Sequence, residues 1–371
     1  TNVFGGRGAS LIREQLAVQA VGEHAENLGF VLLGVANAQE APDFALLCDW
    51  LDHGYSASMD YLAERREAYR HPRSVLEDCA SILMFGMPYS KHPRTRPSKS
   101  SNANSSSSDP RMLGRGTIAA YAAGARDYHE VIHERQSEMI GNLRRMFPGK
   151  RFRGVVDTAP LLERCFGRLA GLGWQGKNTL LLNRQLGSYF FLSAILSEVL
   201  LPANDVLETD HCGSCRACLD ACPTQAFPAP YVLDANRCIS YWTIEHRGEI
   251  PASMRPEISD WLFGCDACQT VCPWNRKPEP RVDPDFSPNG WQDKVDCLFW
   301  LQLDEPGFRE RFRHTPFWRT RLQGMQRNAM IVAANTGRRD AIPAMEGFLA
   351  CGDPVLEATA RWSLQELESG L

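Results

Sequence analysis

Cysteine spacing constrains this 371-residue chain more than any other feature. Eight of its thirteen cysteines lie between residues 212 and 272. The first four follow the pattern C-x2-C-x2-C-x3-C and are followed by Pro223; the second group has one separate cysteine and then three before Pro273. The eight are Cys212, Cys215, Cys218, Cys222, Cys238, Cys265, Cys268 and Cys272. So many closely spaced thiols in one segment indicate a metal centre rather than a set of disulfides.

Two 4Fe-4S clusters fit this spacing. In ferredoxins with such a run, the fourth cysteine ligates the other cluster. By this pseudo-symmetry we assign Cys212, Cys215, Cys218 and Cys272 to the first cluster, and Cys222, Cys238, Cys265 and Cys268 to the second. Zinc also uses paired C-x2-C ligands, but four ligands complete a zinc site and the third cysteine of the run would be unexplained. We expect buried apolar thiols at the other five positions, Cys48, Cys79, Cys165, Cys297 and Cys351.

Charge and hydropathy narrow the class of protein. The net charge of -4 argues against a protein that coats nucleic acid by bulk electrostatics, although a local basic patch remains open. No apolar run reaches the ~20 residues that span a bilayer. Residues 1–13 do not have the pattern of a secretory signal. We therefore expect a cytoplasmic protein without a membrane partner. We also expect a monomer that takes electrons from an external low-potential donor.

The expected fold is an α/β or α+β catalytic core, a ferredoxin-like two-cluster domain and a C-terminal helical tail. A helix over residues 10–28 precedes strands near 30–35, 81–87 and 154–157. Residues 90–110 are rich in Ser, Asn and Pro and predict a disordered surface insertion. The predicted domains are 1–206 for the core, 207–288 for the clusters and 289–371 for the tail.

The tail predicts three helices, at 326–335, 341–349 and 354–367, in a helical-repeat pattern. So few repeats must pack on the main body to bury their apolar faces. The tail is either a stabilising cap or a surface that contacts nucleic acid through Arg327, Arg338 and Arg339.

About two hundred residues precede the cysteines, more than an electron shuttle needs, so we expect a substrate or cofactor site there. Asp157 follows an apolar run, at a position typical of ligand sites in α/β proteins. It is also placed to cap the following helix, and the residues alone favour that interpretation. The glycine-rich segment 171–179 can bring backbone amides close to a large ligand, and it lacks the pattern of an ATP-binding loop.

These segments resemble the epoxyqueuosine reductase family, cobalamin-dependent iron–sulfur enzymes of queuosine-tRNA synthesis. The likeness runs from about Ser10 to Leu367 and rests on seven stretches: Gly124 with Arg126-Asp127-Tyr128-His129, Val156-Asp157, Ala170–Trp174, Gly176–Thr179, Gly187–Tyr189, Arg237–Ser240 and Gly264–Pro273. The tail motif 326–329 resembles the HEAT-like C-terminal domain of the family. Three features depart from the family pattern: Ala125, the Cys165-Phe166-Gly167 stretch and the serine-rich insertion.

The resemblance implies that cobalamin lies between the catalytic and cluster domains, and that an epoxide on the wobble base of a tRNA anticodon is reduced. Asp157 then matches the catalytic acid, which requires a raised carboxyl pKa. The cobalamin contacts implied by resemblance are Arg70, Gly176, Lys177, Asn178, Ser240 and Asp266. Each has a plain alternative, such as a surface salt bridge for Arg70. Tyr128 and His129 are either a proton relay or a core-facing helix pair.

Two rival functions remain at this point. A corrin-dependent reductive dehalogenase has similar clusters but is commonly exported, and the helical tail favours the tRNA enzyme. A simple electron carrier would have no substrate of its own, and the corrin content of anaerobically purified protein would distinguish it from both enzymes.

Overall fold

The computed structural model describes residues 4–89, 114–204, 209–276, 283–286 and 295–369, with side chains from residue 12 onward. The insertion predicted at 90–110 and most of the connector 277–288 lie outside the described residues. None of the described helices is both long enough and apolar enough to cross a membrane.

A four-stranded antiparallel sheet forms the core. Its strands are β1 (Leu32–Asn37), β2 (Ser81–Pro88), β4 (Phe152–Val155) and β7 (Phe190–Ser197), in the spatial order β1-β2-β7-β4. Leu83 pairs with Ile195 at the centre of the sheet. All eight residues of β2 are buried, because helices cover both faces of the sheet. The antiparallel order makes the core α+β.

Two layers of helices enclose this sheet. On one face lie α1 (Phe4–Asn27) and α4 (Tyr128–Met146), whose apolar side chains pack in one cluster with Leu83, Phe85 and Ile195. On the other face lie α2 (Phe44–Asp52) and α5 (Glu163–Leu169), in a cluster with Ile82 and Met84. The short α3 (Asp60–Glu64) follows α2. The predicted first helix and three strands are confirmed within a few residues, whereas β7, the strand that joins β2 to β4, was not predicted.

The cysteine-rich segment is attached to the core by strand pairing. Helix α6 (Ala217–Asp220) contacts α8 (Ala267–Thr270), and each lies within one group of cysteines. Strand β8 (Trp261–Phe263) pairs in parallel with β3 (Thr117–Ile118), which comes from the core. A small hairpin of β5 (Trp174–Gln175) and β6 (Leu181–Leu182) and the short helix α7 (Arg255–Ile258) complete these parts. The sheet formed by β3 and β8 crosses the predicted domain boundary at residue 206.

In the part of the tail that the structure describes, 295–369, the three predicted helices are present with two more. These five are α9 (Cys297–Gln302), α10 (Glu305–Phe312), α11 (Arg321–Asn335), α12 (Ile342–Glu346) and α13 (Pro354–Ser369). Helix α11 is almost wholly buried and contacts β8, α9 and α13. Its apolar residues share one core with Ile239, Leu262 and Phe263 of the cysteine-rich segment. The expectation that the tail packs on the main body is confirmed.

Two of the tail arginines are structural, which corrects the proposed nucleic-acid role for them. Arg327 is 1% exposed. Its guanidinium donates to the carbonyls of Trp242, His246 and Gly248 at 2.7–2.9 Å. Arg338 is half-buried and pairs with Asp296 at 2.8 Å. These two side chains hold the tail against its neighbours, and Arg339 alone of the three is exposed.

The five cysteines outside the cluster segment differ in burial. Cys79, Cys165 and Cys297 are buried, as predicted, and Cys48 is half-buried. Cys351 is exposed, so the prediction of a buried thiol there is wrong. It lies in the turn between α12 and α13, where the chain has no core to cover it.

Candidate active site

A cavity of about 450 Å³ lies where the core, the cysteine-rich segment and the tail meet. Phe190 and Phe191 of the core line it, as do Phe227 and Ile239 of the cysteine-rich segment, and Arg319 reaches it from the tail. Most of the other walls are aromatic or aliphatic, with a few ionisable groups among them. This is the composition of a site for a large, mainly apolar ligand.

The eight cysteines fall into two groups of neighbours. In the first group, burial followed by the nearby Cys272 and Cys212 raises the pKa of the Cys218 thiol to about 11. Cys272 in turn interacts with Cys212 and Cys215. Among the described residues, no three His, Cys, Asp or Glu side chains converge as ligands of one metal ion.

The second group consists of Cys222, Cys238, Cys265 and Cys268. Cys238 and Cys222 are both close enough to Cys268 to act on its thiol electrostatically, and Cys265 interacts with Cys268 and Cys238. Cys218 also acts on Cys268, so the two groups are adjacent. The assignment of these four thiols to one cluster by the ferredoxin pseudo-symmetry remains a prediction.

The two groups of cysteines differ in their position relative to the cavity. All four thiols of the second group line the cavity, and none of the first group does. Cys215 of the first group is exposed. We call the second group the inner group and the first the outer group. Their arrangement leads from the protein surface to the cavity wall.

Asp157 lies in the loop after β4 and lines the same cavity. Its backbone has φ of 54°, a left-handed conformation that is uncommon for a residue with a side chain. Tyr128 donates a hydrogen bond from its hydroxyl to Asp157 Oδ2 at 3.0 Å. The side chain is 62% exposed, so the carboxylate is open to a ligand in the cavity.

Asp157 does not cap the next helix. Helix α5 begins at Glu163, and the residue before it, Leu162, makes no side-chain cap bond. The backbone N–H of Asp157 instead donates to Glu163 Oε1 at 2.8 Å. The capping interpretation favoured by the residues alone is wrong, because the helix starts six residues after Asp157.

The expected rise in the carboxyl pKa of Asp157 is not observed. The nearby His129 imidazole lowers the pKa of Asp157, burial opposes this effect, and Tyr128 and Arg319 contribute to the lowering. For Glu163 the balance of these effects is reversed, and its pKa is raised. Burial, followed by the charge of Asp157, raises the pKa of Glu163 to about 8. Of these two carboxyl groups, Glu163 therefore holds its proton more tightly.

His129 is a further ionisable group close to Asp157. Burial lowers the pKa of His129, but its interactions with the carboxylates of Asp127 and Asp157 outweigh burial and raise the pKa to about 9. Its Nδ1 lies 2.7 Å from Asp127 Oδ1. Its Nε2 lies 3.6 Å from Asp157 Oδ2. The imidazole is therefore a cation at neutral pH.

Three of the predicted cobalamin contacts, Asn178, Ser240 and Asp266, line the cavity. Asn178 is 3% exposed, and its Nδ2 has no hydrogen-bond partner among the described residues. Asp266 is also buried and accepts a hydrogen bond from the backbone N–H of Ala120 at 2.6 Å.

The other three predicted contacts do not line the cavity. Lys177 donates from Nζ to the carbonyl of Cys215 at 2.9 Å and so holds the loop of the outer cysteines. Gly176 lies beside Asn178, at a position where a Cβ atom would meet Asn178 Oδ1 at 2.8 Å. Arg70 pairs with Glu40 at 3.0 Å and lies over the ring of Phe44, in a separate surface pocket. The plain salt-bridge alternative describes Arg70.

Some cavity residues were missed by sequence reasoning. Glu163 lies six residues after Asp157, and the Glu163-Arg164 pair at the end of that block was the only signal for it. Glu245 lies in a π-helical turn, Tyr241–Glu245, and pairs with Arg319. Neither of these two residues belongs to a recognisable motif. They reach the cavity through tertiary packing alone.

Candidate cluster ligands line a cavity that also contains ionisable groups. This arrangement is typical of an iron–sulfur redox enzyme rather than of a simple electron carrier. Comparison with known proteins makes this class more specific. Residues 211–275 match the family model "4Fe-4S double cluster binding domain". Residues 70–158 match the model "Epoxyqueuosine reductase QueG, DUF1730".

Similar proteins extend the match over most of the chain. The epoxyqueuosine reductase of Pseudomonas aeruginosa is 36% identical over 338 residues, which covers 90% of this chain and 88% of the relative. That of Xanthomonas campestris is 35% identical and covers 92% of this chain and 94% of the relative. The chain belongs to the epoxyqueuosine reductase family.

Solved structures agree with this family. A crystal structure of epoxyqueuosine reductase with an epoxyqueuosine-modified tRNA-Tyr stem loop has a TM-score of 0.84 at 27% identity, covering 95% of this chain and 91% of that chain. A Bacillus subtilis epoxyqueuosine reductase, with its catalytic loop swung out of the active site, has a TM-score of 0.83 at 27% identity, with the same coverage.

Proposed function

We propose that this protein reduces epoxyqueuosine to queuosine at the wobble position of tRNA anticodons. The observation that carries the proposal is that Asp157 and the four inner cysteines line one cavity. An acid–base group and an electron carrier therefore face the same ligand. Removal of an epoxide oxygen needs both protons and electrons.

The two cysteine groups are the proposed cluster ligands. Cys212, Cys215, Cys218 and Cys272 would hold the outer cluster, and Cys222, Cys238, Cys265 and Cys268 the inner one. The proximity of thiols within each group supports this division. An external low-potential donor would deliver electrons at the exposed outer end, near Cys215. The electrons would then reach the cavity through the inner cluster.

The cavity residues fit cobalamin. The walls are largely aromatic and aliphatic, and the buried Nδ2 of Asn178 needs an acceptor that the described residues do not supply. An amide-rich ligand with a broad apolar face satisfies both requirements. Asn178, Ser240 and Asp266 would hold it, with Gly176 and Lys177 in the adjoining turn. When bound, cobalamin supplies the strongly reducing centre that the clusters alone do not provide.

Asp157 would deliver protons to the epoxide oxygen. Its carboxylate is open to the cavity, and Tyr128 and His129 fix its orientation. The strained backbone at φ 54° is of the kind found at functional sites. Because the pKa of Asp157 is lowered, the proton it delivers must come from a neighbouring group.

A basic surface near the cavity would contact the tRNA. The guanidinium carbons of Arg321 and Arg309 lie over the Trp318 ring, 4.5 Å and 6.0 Å from its centroid. Both arginines are exposed, and the neighbouring Arg319 lines the cavity. Unpaired bases of anticodon loops are recognised by stacking on aromatic rings and guanidinium planes. We call Arg309, Trp318, Arg319 and Arg321 the arginine surface.

Further parts of the proposal concern the whole chain. A tRNA substrate and clusters that need a reducing environment support a cytoplasmic location. We also propose that the protein acts as a monomer. The division into domains 1–206, 207–288 and a HEAT-like tail 289–371 remains a proposal.

The test is anaerobic conversion of tRNA that carries epoxyqueuosine, measured by mass spectrometry of the released nucleosides. Protein with reconstituted clusters and cobalamin should form queuosine when a low-potential reductant is present. Metal analysis should find about eight irons and about one cobalt per chain. Fully loaded protein that leaves epoxyqueuosine unchanged would refute the proposal. Zinc in place of iron would refute the cluster assignment.

A further inference from the structure

Proton supply is the part of the proposed reaction that Asp157 alone cannot meet. Loss of an epoxide oxygen as water breaks two C–O bonds, forms two O–H bonds and leaves a C=C bond. It therefore consumes two electrons and two protons. The clusters carry electrons, but one carboxyl group carries at most one proton. This inference rests on the proposed function, and the structure offers a specific source for the protons.

His129 lies between two carboxylates. Asp127 is the N-cap residue of α4, and its Oδ1 accepts both the backbone N–H of His129 at 2.9 Å and a hydrogen bond from Nδ1 at 2.7 Å. These two bonds fix the position of the ring. On the other side, Nε2 points to Asp157 Oδ2 at 3.6 Å. Asp127, His129 and Asp157 thus form a continuous line that ends in the cavity.

One face of the His129 ring is covered by a neighbouring ring, and no other described group competes with Asp157 for the proton on Nε2. The ring of Tyr128 stacks on it at 4.0 Å between centroids. Only 24% of the His129 side chain is exposed. Its Nε2 is buried and has no hydrogen-bond partner within 3.5 Å among the described residues. Asp157 is therefore the nearest described acceptor for the proton on Nε2, at the far end of a ring that Asp127 holds in place.

We propose that His129 is the proton source for the reaction, giving the proton on Nε2 to Asp157, which passes it to the epoxide oxygen. The first proton goes to the oxygen as the first C–O bond breaks. Solvent reprotonates the imidazole, and a second proton by the same route lets the oxygen leave as water. His129 does not reach the substrate and acts through Asp157. Asp127 keeps the ring aligned and stabilises its charged form.

The surrounding charges agree with this role. Asp127 and Asp157 face the ring directly, Glu163 approaches from α5, and Arg319 interacts with both Asp127 and Asp157. The net result is a pKa of about 9 for His129. The imidazole carries its extra proton below that pH and loses it above. Proton supply should therefore be maintained at neutral pH and fall as the pH passes through about 9.

The test compares His129→Gln with wild type in the loaded enzyme, reduced in advance so that electron supply does not limit the rate. Glutamine keeps a hydrogen-bonding side chain but cannot carry the proton. We expect kcat to fall by about 10²-fold, with KM unchanged, since proton transfer by a positioned side chain contributes roughly 10²–10⁴-fold. The fall in rate near pH 9 should disappear from the profile. Added imidazole should restore part of the rate of His129→Ala.

His133→Gln is the matched control, because His133 is on the same helix, exposed and outside the cavity. Glu163→Gln tests a competing source, since Glu163 is another nearby group with a raised pKa. A His129→Gln enzyme with the kcat and pH profile of wild type would overturn the proposal. So would loss of the pH dependence in Glu163→Gln while His129→Gln keeps it.

A second readout does not depend on turnover. NMR of ring-labelled histidine in the oxidised holoprotein should give His129 a pKa of about 9, and Asp127→Asn should lower it. Titration of His129 near its ordinary value would contradict the proposal. If wild type fails to reduce epoxyqueuosine but His129 titrates as expected, the proposed function fails and the charged state of the relay stands.

Discussion

The backbone N–H of Asp157 donates to Glu163 Oε1 at 2.8 Å, which ties the two carboxyl-bearing residues of the cavity to each other. The bond fixes the loop at a residue with φ of 54°. The same proximity lets the charge of Asp157 add to burial in raising the pKa of Glu163 to about 8. One contact thus sets both the loop geometry and the difference in acidity between the two groups.

Glu163→Gln should make folding stability less dependent on pH. Glu163 has a folded-state pKa above its unfolded value of about 4.5, so its protonated form favours folding at low pH. That contribution is lost as the pH rises through about 8. Glutamine is neutral at every pH and keeps an acceptor for the Asp157 N–H. Thermal denaturation should therefore show a Tm advantage of the variant that grows between pH 5 and pH 8. An advantage that is constant with pH would contradict the raised pKa.

Asp157→Asn should abolish most turnover while both clusters remain. The amide has the shape of the carboxylate but cannot accept and release the proton, so we expect a loss of about 10²-fold or more in kcat. Tyr128→Phe removes the 3.0 Å bond to Asp157 and should cost less, about tenfold, because the carboxylate stays in place. Single-turnover rates and iron content would measure both. Normal turnover in Asp157→Asn would remove Asp157 from the mechanism.

Cys268→Ser should lower the iron content more than a change at an isolated cysteine does. The variant loses a ligand of the inner cluster, so we expect about four irons per chain instead of about eight. Cys351→Ser is the control, because Cys351 is exposed and outside both groups. Iron analysis of anaerobic protein is the measurement. Full iron content in Cys268→Ser would show that the grouping of thiols is incorrect.

Arg327→Ala should destabilise the tail. It removes a charged donor from the carbonyls of Trp242, His246 and Gly248 and leaves them buried. Hydrogen bonds to charged groups are worth roughly 1.5–3 kcal/mol each, so a loss of about 3 kcal/mol or more in the free energy of unfolding is expected. Arg339→Ala, at an exposed position, should change little. Equilibrium denaturation would compare them; equal stabilities would contradict a structural role for Arg327.

Changes at Arg309 and Arg321 of the arginine surface should weaken tRNA binding and leave chemistry intact. Arg309→Ala and Arg321→Ala remove phosphate or base contacts, so KM for tRNA should rise and the salt dependence of binding should become shallower. Arg144→Ala is the control, as an exposed arginine near the far end of α4 from the cavity. Binding titrations at several salt concentrations would test this. The same affinity in all three variants would exclude the surface as a tRNA contact.

Sequence reasoning found the features that local chemistry specifies. The cluster cysteines were predictable because a metal cluster demands a fixed ligand type and spacing. Asp157 was identified through resemblance, whereas its backbone role was misjudged, because the residues do not reveal where the loop turns. Strand β7 was missed at Phe190–Ser197 although six of its eight residues are apolar, since the run joins the following connector without a clear break.

The electrostatics of the site could not be read from the sequence. Burial alone would raise the pKa of Asp157, and the opposite direction arises because His129, Tyr128 and Arg319 come from different parts of the chain. The aromatic neighbours of Arg309 and Arg321 likewise depend on how α10 and α11 approach Trp318. Such effects follow from tertiary contacts between residues that are distant in sequence.

Because β3 pairs in parallel with β8, the cysteine-rich segment shares a sheet with the core and is not an independent module. The Ala120–Asp266 hydrogen bond lies alongside this pairing and joins the same two parts. Oxygen damage to the inner cluster would therefore loosen a wall that the catalytic core shares. An enzyme with this architecture should lose its ability to bind a ligand at the same time as it loses its iron. Repair of the metal centre would then also restore the shape of the pocket.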